Sequence, residues 1–294
     1  MGADPLTAGN AIVTLDVLHS GIIWHWYVTM NFWAKSVATG VVLLLPWLLS
    51  RFEAPKLRFQ SAVLSFVFIN ITLLFTVLDL HQPLRFWHIF AYTQTSSVIA
   101  LGAWLLTFFN FLAVGMVALA WQKKEALYDK LLPVQWVLGF FATVYTAGLL
   151  GQANARELWH APTEAAQMLL AATLAGSAVF LILGSGGDKA RRPLAQVLGM
   201  SAFVSLTIFA AEFVFGPQKS EEAIHLVHIL TSGELSTIFW TGLVVGFGLP
   251  IVAVLAGGKK PNHGLMAGAG LAGLAGLWLV KHAWLIAPQL VPLS

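Results

Sequence analysis

Eight stretches of the sequence, residues 22–49, 58–80, 95–121, 132–154, 163–185, 194–215, 225–256 and 264–288, are each apolar over about the 20 residues that a helix needs to cross a bilayer. In hydrocarbon a chain must satisfy its own backbone hydrogen bonds, which leaves helices or closed barrels. Barrel strands would alternate apolar and polar residues and run about half as long. The sequence therefore predicts an all-α polytopic membrane protein with eight transmembrane helices in a single domain spanning residues 1–294. The joints carry breakers and charge, from Arg51 to Pro55, Lys123 to Pro133, Gly184 to Pro193 and Gly257 to Pro261.

Composition removes whole classes of function. The chain is 58% hydrophobic and 10% charged, where soluble domains carry about 25% charged residues. Sixteen Lys and Arg against 13 Asp and Glu leave a net charge of only +3, too little for a nucleic-acid-binding surface, so no nucleic-acid partner is expected. With no cysteine, the chain has no thiolates for an iron–sulfur cluster or a Cys-ligated zinc, and no attachment point for c-type haem. Any such centre belongs to a partner. Met1 to Gly21 holds no Lys or Arg ahead of the first apolar run and does not look like a cleavable signal peptide.

Basic residues fix the expected orientation. Arg51, Lys56, Arg58, Lys123, Lys124, Lys130, Lys189, Arg191, Arg192, Lys259 and Lys260 fall on one side, and only Arg85, Arg156 and Lys219 on the other. The richer side faces the cytoplasm, so both termini are expected on the periplasmic side of a bacterial or archaeal cytoplasmic membrane.

Polar groups at membrane depth are costly and mark function. His25 and Asn31 fall in the first turns of the first predicted helix, Asp79 at the outer end of the second, and Tyr145 in the outer half of the fourth. Glu212, Glu234 and Lys281 lie in the outer portions of the last three, and Lys35 shares the face of Asn31 by i,i+4 spacing but reaches deeper. The inner half offers Asn110, Gln135 and hydroxyls but no acid. A pocket opening outward follows. Each residue also has a structural reading. Trp24 to Tyr27 resembles an interfacial aromatic belt, Asp79 can cap its helix or pair with Arg85, and Glu212, Glu234 and Lys281 can pair internally. The glycines between Gly264 and Gly276 suit close helix packing.

Two other classes fit less well. A b-haem subunit needs two mid-membrane histidines on facing helices. Of the candidates His25, His225, His228 and His282, the pair His225/His228 lies near a helix end, so no haem is expected in this chain. A secondary transporter is expected to show inverted repeats and helices broken at the midplane, and the sequence has no evident repeat.

The segment from Leu78 to Phe90, LDLHQPLRFWHIF, resembles the LDLGRPxRFWH string of the NrfD/PsrC family, the membrane subunits of polysulfide-reductase-type quinone oxidoreductases. Ser97 to Leu106 is similar to the family's SPMxxGAWLL, and Tyr145 to Trp159 to its YTGxLLxxxxxRPLW. The chain departs from the pattern at His81, Gln82 and Val98, and Asn31 stands where the thermophile polysulfide reductase type has a quinone-contacting His. The resemblance implies two four-helix bundles and a quinone site at the outer surface beneath a periplasmic iron–sulfur subunit. That subunit would pass electrons to a catalytic subunit, often of molybdopterin type.

A quinone needs hydrogen-bond donors at its carbonyls and a proton partner for each hydroxyl. A menaquinone- or ubiquinone-type quinol is therefore expected to be held by His25, Asn31 and Tyr145. Asp79 would exchange protons with the outer water, restrained by Arg85. Lys35, Glu212, Glu234 and Lys281 serve as proton relay or structural pairs, and Arg85, Trp87, His88, Arg156 and Trp159 as the docking surface. Proton exchange confined to one side makes turnover electroneutral.

Overall fold

The computed structural model describes residues 22–52, 56–153, 156 and 158–291. The reading of Met1 to Gly21 lies outside the described residues. The helices are α1 (Trp26–Arg51), α2 (Leu57–Leu78), a short α3 (His88–Ala91), α4 (Val98–Trp121), α5 (Glu125–Leu150), α6 (Ala161–Ile182), α7 (Gly187–Phe215), α8 (Glu221–Thr231), α9 (Ser236–Leu243), α10 (Leu249–Gly257) and α11 (His263–Ile286). Eight of the helical segments are long and apolar enough to cross a membrane, α9 and α10 together making one of them. No strand occurs among the described residues.

Seven of the spans match the apolar stretches of the sequence to within a few residues, apart from charged turns added at the starts of α5 and α7. The seventh stretch, read as continuous from 225 to 256, breaks into the amphipathic α8, a turn at Ser232 to Leu235, and the membrane-crossing segment Ser236–Gly257. That segment contains a π-helical turn, Val244–Gly248, just ahead of Pro250. Proline has no N–H to give to the preceding turn, and a widened turn absorbs the missing bond.

Successive spans run antiparallel, so the described chain ends meet on one face. Gln289 stitches them together. Its Oε1 accepts from the backbone N–H groups of Ile23 and Trp24, both at 2.9 Å, and its Nε2 donates to Trp24 O at 3.0 Å. This terminal face also carries the connections after α2, α5 and α7. The opposite, basic face is tied by Arg58, which donates to both Asp129 carboxylate oxygens at 2.9 and 2.8 Å and lies 3.1 Å from Glu125.

Helix α1 is central, packing against α2, α5, α6 and α11. Its closest approach is at Gly40, where a Cβ would come within 2.8 Å of the Ala172 carbonyl carbon and 2.9 Å of the Gly176 nitrogen. Only backbone fits there. Because α1 and α6 are joined this tightly, and one continuous apolar core runs from α1 to α11, the packing does not itself divide the molecule into the two four-helix bundles expected.

Candidate functional site

Away from the basic face, the titratable residues of the spans form three neighbouring groups around α1 in the terminal half. The first lies between α1, α2 and α5. Asn31 is buried, and its amide donates to Thr72 O at 3.2 Å and Thr76 Oγ1 at 2.5 Å on α2. Both N–H groups are thus engaged, and its carbonyl oxygen remains as an acceptor. One turn on, Lys35 is only 2% exposed; its amine donates to Thr146 on α5 and sits 4.6 Å from the centre of the Tyr145 ring. Tyr145 in turn lies over Gly102 of α4, where an added Cβ would collide with its ring edge. Thr76 and Gly148, near the terminal ends of α2 and α5, are exposed.

Among the described residues the four ion pairs are Arg58–Glu125, Arg58–Asp129, Arg191–Asp188 and Lys219–Glu212. None involves Lys35. A lysine buried at membrane depth without a carboxylate is stabilised by whatever negative charge develops beside it.

The second group lines the rim. Asp79 caps the end of α2 and is half-buried. Burial pushes its carboxyl above the ordinary carboxylate range, while His25 and His81 pull it back. Arg85, expected to restrain Asp79, forms no ion pair with it; the two histidines take that place. His25 itself is exposed and close enough to His282 to interact electrostatically. His282 shares a hydrogen bond with Thr29 at 3.0 Å through Nδ1 and stacks on Trp278 at 5.1 Å. Below this rim, Met30, Trp33, Leu274 and Trp278 line an apolar groove of about 400 Å³ between α1 and α11. The other histidines weighed for haem, His225 and His228, are exposed on α8.

The third group was not legible in the sequence as a group. Glu164, in the first turn of α6 and 4% exposed, accepts a hydrogen bond from Trp284 Nε1 at 2.6 Å. It shares a space with Lys281 and Trp159. Lys281 and Lys35 approach the same Phe32 ring, at 6.0 and 5.2 Å from its centre.

Several expected residues sit elsewhere. Glu234 is exposed in the turn between α8 and α9, because the seventh stretch breaks there. Glu212 pairs with Lys219 at 3.3 Å near the surface. Arg156 donates to the carbonyls of Pro288 and Val291, pinning it to the segment after α11. Burial lowers the pKa of that guanidinium and the nearby Glu222 raises it. Trp159 is 5% exposed and faces inward, its ring 5.2 Å from that of Trp24. Arg85 and Trp87 are exposed as expected and His88 is partly so, beside Leu84, which is 91% exposed. Among the described residues no cluster of three or more His, Asp or Glu is placed to hold a metal.

The family profile described as "Polysulphide reductase, NrfD" matches residues 17–292. One component of the polysulfide reductase of Wolinella succinogenes is 24% identical, the alignment covering 92% of this chain and 96% of that protein. One component of the selenate reductase of Mesobacillus selenatarsenatis is 22% identical, over 95% of this chain and 76% of its own length. With eight apolar spans and a family match from residue 17 to residue 292, the chain belongs to the NrfD family of integral membrane oxidoreductase subunits.

Proposed function

We propose that this chain is the quinone-exchanging membrane subunit of a respiratory oxidoreductase. It takes two electrons from a menaquinone- or ubiquinone-type quinol, or returns them, through a periplasmic iron–sulfur subunit on the terminal face, behind which sits a catalytic subunit of molybdopterin type. The membrane is the cytoplasmic one of a bacterium or archaeon, with the basic face in the cytoplasm. Relatives that are single components of a polysulfide reductase and a selenate reductase support a subunit that serves others.

The observation that carries the reading is Lys35, buried without a carboxylate and held against Tyr145 in the terminal half of the spans. That donor set fits a quinone. The Lys35 amine and the Tyr145 hydroxyl donate to one oxygen of the ring and favour negative charge there. The free Asn31 carbonyl oxygen accepts from a quinol hydroxyl, a role reversed from the donation expected of it. Asp79, with His25 and His81 beside it, exchanges a proton with the water outside. The quinone brings the two-electron chemistry; the chain positions it and handles its protons. Exposed Leu84, Phe86 and Trp87, with Arg85 and His88, make the partner-docking surface.

In the purified complex, a fluorescent quinol-site inhibitor should bind the wild type stoichiometrically and bind Lys35→Met at least tenfold more weakly. Equal affinity for the two proteins would remove Lys35 from the site.

A further inference from the structure

Oxidising a quinol releases two protons, and Asp79 accounts for one acceptor. The third group of buried residues has the chemistry of another. Glu164 and Lys281 face a common space of about 40 Å³, yet they form no ion pair. The Lys281 amine instead contacts Met168 Sδ at 3.9 Å, a weak acceptor. Trp159 lines the same space, and its buried Nε1–H has no acceptor among the described residues. Donors left open around a carboxylate cost free energy unless something polar joins them. A water needs about 10–15 Å³ of such space, so about three fit in it.

One ring, Phe32, stands between this space and the proposed quinone site. Phe32 forms part of the wall of the space, and the Lys35 amine lies 5.2 Å from the centre of that ring. Lys35 and Lys281 are close enough to interact electrostatically. Glu164 sits in the first turn of α6, where the helix dipole favours its anion. The other charged group that acts here is Glu212 on α7, felt by Glu164 and itself paired with Lys219.

We propose that Glu164 is the second proton acceptor of the quinol site, reached through water held between Trp159, Lys281 and Glu164; this rests on the quinone reading above. The O–H bond of one quinol hydroxyl breaks as Lys35, the donor at that oxygen, gives one of its own protons to the water and takes the hydroxyl proton in its place; the proton carried along the water protonates the Glu164 carboxylate, and the two electrons leave to the iron–sulfur partner. Reversal of electron flow reverses each transfer. Glu164 then releases the proton past Trp159 to the terminal face.

The test uses the intact complex and a water-soluble quinol. Glu164→Gln should bind the quinol-site inhibitor as the wild type does, turn over 10- to 100-fold more slowly, and lose a protonated-carboxyl band from the redox-induced infrared difference spectrum. Glu164→Asp should restore part of the rate and return the band at a shifted frequency. Wild-type turnover with an unchanged infrared spectrum in Glu164→Gln would overturn the proposal, as would an Asp variant no better than Gln. Failure of the wild type to bind the inhibitor would instead strike at the quinone reading itself.

Discussion

Asn31 and Lys35 lie one turn apart on α1 but serve different neighbours, Asn31 bonding α2 and Lys35 bonding α5. Their shared face was readable from i,i+4 spacing; which helices that face would meet was not. The assignment predicts that Tyr145→Phe and Asn31→Leu lower quinol turnover about tenfold each, while thermal unfolding of the complex in detergent shifts by only a few degrees. Asp79 makes a pH prediction. It accepts a proton only when ionised, and burial raises its pKa, so turnover should fall as pH drops through a value above the ordinary carboxylate range. Asp79→Asn should slow turnover and flatten that acid limb; a pH–rate profile unchanged in the variant would exclude Asp79 from proton exchange. Glu164 escaped the sequence reading for a physical reason. An acid in a first helical turn is ordinary, and the Trp284 that holds it lies 120 positions away.

At the scale of elements, hydropathy located the spans because burial in lipid demands it of every residue in turn. It did not locate the break at Ser232 to Leu235, since the amphipathic α8 keeps enough leucine and isoleucine to look continuous with the span beyond. Nor does sequence tell which way an interfacial Trp or Arg points: Trp159 turned inward, and Arg156 reached the carbonyls after α11. The join between α1 and α6 depends on two glycines whose backbones touch, so that an added Cβ at Gly176 would run into the Gly40 carbonyl group. Gly176→Val should therefore cost about 3 kcal/mol or more, read as a lower melting temperature and poorer assembly, whereas Gly115→Val, which meets nothing within 4 Å, should be silent. Gln289→Leu leaves the Ile23 and Trp24 N–H groups without their acceptor, and a loss of about 1–3 kcal/mol is expected.

For the whole molecule, the absence of cysteine makes orientation directly measurable. A single cysteine introduced at Leu84, on the terminal face, should react with a membrane-impermeant maleimide in intact cells. One at Lys260 should react only after permeabilisation. The reverse pattern would invert the topology and move the partner to the cytoplasm. With Asp79, Glu164 and Lys35 all in the terminal half, protons are exchanged on that side and turnover should be electroneutral in proteoliposomes; uptake of protons from the basic side would contradict this. The central claim is that a quinone ring lies between α1 and α5, and the most direct test is photolabelling of the intact complex with an azidoquinone, mapped by mass spectrometry. Label on peptides from residues 26–51 and 125–150, suppressed by excess quinol, is the expected result. Label confined to α7 through α10, or insensitive to quinol, would contradict it.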